Sequence, residues 1–138
     1  MRILVDASVW IDLFADRQTP QTERARHLIE EDEPVAVGDL TLIEVLQGTR
    51  GPAHFERINA RLALYEQIAI VDRASAIHAA RNYQHLRALG ITVRKTIDTL
   101  IATRCILDRL PLLYSDRDFD PFVEHLGLIS ALDASGVI

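Results

Sequence analysis

Apolar residues fall along this chain in two rhythms. Four short unbroken runs, Ile3 to Val5, Pro34 to Val37, Ile68 to Val71 and Leu112 to Tyr114, read as buried strands. A fifth, Leu128 to Leu132, reads as an edge strand. Between the runs, apolar positions recur every three or four residues, the spacing of one helix face. Gln21 to Glu31 puts Ala25, Leu28 and Ile29 on such a face, and Leu42, Ile43, Val45 and Leu46 mark another helix stopped by Gly48. A third runs from Ala53 to Gln67 through Phe55, Ile58, Leu62 and Tyr65. The next starts after Asp72, a plausible N-cap, and stops at Gly90; the last long one spans Arg94 to Asp108, ahead of Pro111. An early short helix carries Trp10, Leu13 and Phe14 as an apolar stripe with Asp12 on its solvated side. Strands alternating with helices predict one α/β domain over residues 1–138, with a central, mostly parallel sheet of four to five strands flanked by helices. The order of the strands stays open.

In such sheets ligands bind beyond the carboxyl ends of the strands, and that is where acids stand. Asp6 closes the first strand, Asp116 follows the fourth in "LLYSDRDFD", and Glu44 lies on the helix after the second strand in "GDLTLIEVLQG". The fourth acid, Asp98 in "RKTIDTLIATRCI", sits near a helix start, one position off the core-facing Ile97, Leu100 and Ile101. Each acid alone has a plain structural reading. Asp6 suits a turn, Glu44 a helix edge, Asp98 a helix N-terminus and Asp116 a solvated loop; Asp39 reads as a helix cap. Convergence at strand ends is what favours chemistry. Two carboxylates about 4 Å apart repel by roughly 4 kcal/mol at an effective dielectric near 20, so a cluster needs a cation. With one lysine in the chain and no histidine beside these acids, an all-oxygen donor set calls for a hard ion, Mg²⁺ with Mn²⁺ as the alternative. Such an ion points to phosphoester chemistry.

Composition changes the picture little. The 138 residues are 49% hydrophobic and 25% charged, with no apolar run of membrane-spanning length and no signal-peptide pattern. The lone Cys105, in the apolar stretch "TLIATRCIL", is expected in the core and fits a reducing cytoplasm. The net charge of −5 speaks against a nonspecific nucleic-acid binder. Setting the four acids aside, however, leaves 16 acidic against 15 basic residues, of which 14 are Arg, and guanidinium forks suit phosphates and salt bridges alike. Histidines 27, 54, 78, 85 and 125 are scattered and are expected on the surface or packed.

"LVDASVWIDLF", the lone Glu44 after the second strand, "RKTIDTLIATRCI" and "LLYSDRDFDPF" together resemble the PIN-domain ribonucleases, close to the VapC toxins of bacterial toxin–antitoxin pairs. The resemblance covers essentially the whole chain. It implies that Asp6, Glu44, Asp98 and Asp116 are the metal-binding catalytic acids, with Ser8 as the supporting hydroxyl and Asp118 as an additional acid near the site. It further implies Mg²⁺-dependent hydrolysis of RNA phosphodiesters, leaving 5′-phosphate and 3′-hydroxyl ends. Its partners would be a second copy in a homodimer and a cognate VapB antitoxin whose tail blocks the site. All four acids of the pattern are present, and Ser8 reads as a site hydroxyl and helix cap rather than a nucleophile. Arg94 and Lys95, just ahead of Asp98, are candidates for RNA phosphate contact, with a solvent-facing helix start as the plain alternative. Two other readings stand beside this one: a PIN nuclease of RNA processing without an antitoxin, and a catalytically silent module gripping a basic partner tail. Phosphatase and receiver patterns fail, since Ser8 stands where the former needs a second Asp, and no P-loop occurs.

Overall fold

The computed structural model describes residues 2–134. Four strands, β1 (Ile3–Val5), β2 (Val35–Gly38), β3 (Glu66–Ile68) and β4 (Leu112–Leu113), form one sheet in the order β3-β2-β1-β4. All pairings are parallel, with Ile3 opposite Val35 and Leu4 opposite Leu112. Side chains alternate across so short a sheet. Ile3, Val5, Val35, Val37 and Leu113 therefore face one core, and Leu4, Ala36 and Leu112 the other.

The helices divide the same way. On the first face lie α1 (Ala7–Phe14), α2 (Pro20–Glu30), α3 (Asp39–Gln47) and α4 (Pro52–Leu62), which contribute Trp10, Leu28, Val45, Ile58 and Leu62. On the second lie α5 (Arg73–Ala88), α6 (Thr96–Asp108) and α7 (Asp120–Leu126), with Leu86, Ile101, Cys105 and Phe122. A short α8 (Ala131–Ala134) packs by β4 and α2. Local chemistry fixes the ends. Thr19 and Thr22 form a capping box ahead of α2, Asp72 and Ser75 another ahead of α5, and Gly127 closes α7 at φ 83.

The expected strand at Ile68 to Val71 lies earlier, at Glu66–Ile68. This is an edge strand with one neighbour, so its own residues need not be apolar. Ile70 is buried just past it, and its N–H donates to the Asp39 carboxylate at 3.1 Å instead of to a strand. The expected fifth strand at Leu128 to Leu132 reduces to one bridge, Ser130 to Leu112, before α8 takes over. The helix expected to reach Gln67 stops at Leu62, where the Gln67 side-chain amide donates to the Leu62 and Tyr65 carbonyls. The last long helix opens at Thr96, two residues late, because Lys95 is extended at its N-cap position. Periodicity passed over α7, although Pro121 in its first turn and Gly127 past its end mark it.

Candidate metal centre

The strand ends deliver the acids, and local geometry shows why each is held. Asp6 leaves β1 with extended backbone and caps α1, its carboxylate accepting from the Ser8 N–H at 3.2 Å and the Ser8 hydroxyl at 2.7 Å. The cap of α1 is thus the candidate acid Asp6 itself, rather than Ser8. The Ser8 Oγ in turn accepts from the Ser115 N–H at 3.2 Å, which ties the end of β1 to the loop after β4. In that loop Asp116 caps a single 3₁₀ turn (Arg117–Phe119), its carboxylate accepting from the Asp118 N–H at 2.9 Å. Asp98 occupies the first turn of α6 and is only 2% exposed, far more enclosed than its position off the apolar face suggested. Glu44 reaches in from α3, half-buried.

One carboxylate oxygen each from Asp98, Asp116 and Asp118 lies within 4.8 Å of the other two. Asp118, expected as an accessory, belongs to this tightest trio. Asp6 and Glu44 adjoin it closely enough for their charges to act on Asp98. Burial pushes the Asp98 carboxyl up to about 7, with Asp116, Asp6 and Glu44 adding to the rise and Lys95 opposing it. Burial also raises Asp6, against the Ser8 hydrogen bonds, and raises Glu44 with help from Asp6 and Asp116. Asp116 goes the other way. Its burial is outweighed by the Asp118 N–H, Lys95 and Arg94, which hold it below the usual carboxylate range. Environments that push neighbouring carboxyls apart are a mark of functional sites.

The two basic residues ahead of α6 lie on the acids. Lys95 Nζ sits 2.9 Å from Asp116 and 3.9 Å from Asp98, and Arg94 donates to Asp118 at 2.8 Å. Even so, Glu44 Oε1, Asp98 Oδ2 and Asp118 Oδ2 are buried without a hydrogen-bond partner among the described residues. Buried carboxylate oxygens without donors are costly. A cation drawn to all-oxygen ligands answers that cost, so the residues fit Mg²⁺ or Mn²⁺. They do not fit a soft ion, since Cys105 is buried in the core and neither His nor Cys belongs to the acid group found among the described residues. Sequence reasoning passed over Ser115, whose N–H holds Ser8 and whose buried hydroxyl lacks a partner among the described residues. Its place between β4 and Asp116 was the available signal.

A family model described as PIN domain matches residues 3–123. The chain belongs to the PIN-domain family. PIN domains are nucleases, a hydrolase class in keeping with an acid cluster at the strand ends. Solved structures sharing this PIN fold include VapBC2 from Rickettsia felis, bound to a DNA fragment from their promoter. It matches at 16% identity and a TM-score of 0.70, over 94% of this chain and 97% of that one. A toxin–antitoxin complex from Klebsiella pneumoniae aligns at 24% identity and TM-score 0.67, over 93% and 96%. VapBC-1 from nontypeable Haemophilus influenzae aligns at 17% and 0.70, over 94% and 96%. At these identities the likeness is one of fold.

The remaining candidates of this PIN domain take structural places. Asp39 is not the cap of α3, a position held by Gly38; its carboxylate takes the Leu40 and Ile70 N–H groups. Asp12 accepts from Arg17 at 2.7 Å. Trp10 is buried and packs on Phe14 and Tyr65, and Cys105 is fully buried. Among the described residues no helix is long and apolar enough to cross a membrane.

Proposed function

We propose that this PIN domain, taken as one ribonuclease unit over residues 1–138, is a Mg²⁺-dependent endoribonuclease that acts as the toxin of a toxin–antitoxin pair. The observation that carries the reading is the trio Asp98, Asp116 and Asp118, two of whose buried oxygens have no hydrogen-bond partner among the described residues, flanked by Asp6 and Glu44. Asp6, Glu44, Asp98 and Asp116 would hold the ion, with Mn²⁺ as an alternative, and Asp118 would hold a second ion or its water. A hard cation there supplies positive charge to phosphodiester oxygens and acidifies water for in-line attack.

The chain's own residues do the rest. The Ser8 hydroxyl and N–H orient the Asp6 carboxylate, while the Ser115 N–H fixes that hydroxyl in turn. The Asp118 N–H aims one Asp116 oxygen. Lys95 and Arg94 neutralise the cluster at rest and are free to turn to RNA phosphate when a metal takes over that role. An antitoxin of VapB type, presenting Arg or Lys from its tail, would satisfy the same acids. The VapBC and toxin–antitoxin complexes among the structural relatives support that partner. A homodimer in the cytoplasm completes the reading.

The test is cleavage of RNA by purified, antitoxin-free protein in Mg²⁺, in EDTA and with Asp98→Asn. Cutting that needs the metal and is lost in the variant is expected. A folded, metal-loaded protein that cuts no RNA would return the pocket to a binding role.

A further inference from the structure

Beyond the acid cluster, a cleft of about 480 Å³ runs between α1, the end of α3 and α4. Its lining combines apolar Ile11, Phe14 and Ile58 with Arg50, Arg57 and Arg61. All three of these arginines are exposed, and none meets a carboxylate among the described residues. Arg17, also in the lining, pairs with Asp12, as Arg2, Arg94 and Arg104 pair with acids elsewhere. The other seven arginines meet no carboxylate among the described residues either, so what sets this cleft apart is three such arginines gathered on one apolar lining. Arg57 and Arg61 stand one turn apart on α4, so their guanidiniums share a face. The Arg61 guanidinium lies over the Phe14 ring at 4.7 Å, and Phe14 itself stacks on buried Trp10. His54 accepts the Arg50 N–H at its Nδ1, 3.0 Å away, which leaves Nε2–H of the neutral ring as a donor.

The cleft is built on the same two helices as the acid site. α1 runs from Asp6 and Ser8 to Ile11 and Phe14, and α3 carries Glu44 one turn, about 6 Å, before Gly48 at the cleft wall. A chain threaded past the acids meets unpaired positive charge within a turn or two of helix. Nucleic acid needs such a place. The acids repel every phosphate except those a bound cation bridges, so neighbouring nucleotides must be held by cations elsewhere. Guanidiniums over an aromatic ring also offer a plane on which an unstacked base settles.

We propose that this arginine-lined cleft is a single-strand RNA track, holding the nucleotides on one side of the scissile phosphodiester. Arg50 and Arg57 take the phosphates, and Arg61 on Phe14 takes a base. The assignment rests on the ribonuclease reading for its RNA, and it names residues outside the metal centre.

The experiment separates the two. Binding of a fluorescent single-stranded RNA 12-mer is measured by anisotropy across salt concentrations in an Asp98→Asn background that cannot cut. Adding Arg50→Gln and Arg57→Gln is expected to weaken binding about tenfold at low salt. The slope of log affinity on log salt should fall by about 1.4, at about 0.7 per lost phosphate contact on a single strand. Arg57→Lys in place of Arg57→Gln should restore about half of that loss, one contact of the two. Thermal melting shows that each variant is folded. In the protein with Asp98 intact, the double substitution should raise KM for the 12-mer while leaving kcat near wild type. Unchanged affinity and slope, or a Glu-rich 12-residue peptide that binds this cleft with the RNA unaffected, would overturn the track. RNA that binds through these arginines but is never cut in Mg²⁺ would uphold the track and refute the ribonuclease reading instead.

Discussion

Asp98→Asn should make the metal-free protein more stable at neutral and alkaline pH while abolishing its tight binding of Mg²⁺. In the fold the Asp98 carboxyl is pushed up to about 7 by burial and by its acidic neighbours, against 3.8 for the free side chain. A difference of about three pH units, at roughly 1.4 kcal/mol each, sets a ceiling of about 4 kcal/mol on the cost of ionising it in place. The sign follows from which state binds the proton. Below about pH 3.8 the carboxyl is neutral folded and unfolded, and no penalty exists. Between about 4 and 7 the unfolded chain ionises while the folded site keeps its proton, so stability falls. Above 7 the loss is complete. Asparagine has no proton to lose, and Lys95 keeps Asp116 at 2.9 Å as its partner. At about 3 °C per kcal/mol for a chain of this length, the variant should melt up to roughly 10 °C higher than wild type at pH 8 in EDTA. The advantage should shrink steadily toward pH 4. Saturating Mg²⁺ should then raise the Tm of wild type and leave the variant nearly unmoved. A pH-independent gap, or a variant less stable than wild type at pH 8, would refute the reasoning.

Other expectations follow from the same geometry. Mg²⁺ affinity by titration calorimetry should climb as pH rises from 5.5 to 7 and level off above, with proton release on binding below 7, because Asp98 must ionise to serve as a ligand. Lys95→Ala removes the ammonium lying on Asp116 and Asp98; it should tighten Mg²⁺ binding several-fold while raising KM for RNA, and weaker metal binding would count against the resting ion pairs. Ser8→Ala strips Asp6 of a 2.7 Å hydrogen bond and the Ser115 N–H of its acceptor, for a loss of about 1–3 kcal/mol by denaturant unfolding. Gly38→Ala would set a Cβ 2.8 Å from Ile70 Cδ1; it should cost about 1–3 kcal/mol, and a neutral result would mean Ile70 moves aside freely.

The sequence by itself determined the layered architecture and placed candidate acids at the ends of its strands. Apolar runs at Ile3 to Val5 and Leu112 to Tyr114 have few options but a buried parallel sheet, and an acid placed just past such a run arrives at the carboxyl edge wherever the strand is seated. The Asp72 cap was legible because a cap's hydrogen bonds reach only to the first turn of its helix, here to Ser75 three residues on. The third strand was not. Glu66 and Gln67 are exposed on an edge, and only pairing with β2 makes them a strand. Nor did local pattern foretell that Asp39, which reads as a cap, spends its carboxylate on Ile70, 31 residues away. Tertiary structure alone decided that Asp118 joins Asp98 and Asp116 and that Asp98 is sealed from water. It also decided that Arg94 and Lys95 rest on the acids, and that arginines from α4 and the α3–α4 turn line a cleft with Phe14 of α1. Strand and helix patterns come from neighbours a few residues apart. Charge, burial and proximity across the sheet depend on segments up to a hundred residues distant, and only their packing sets those.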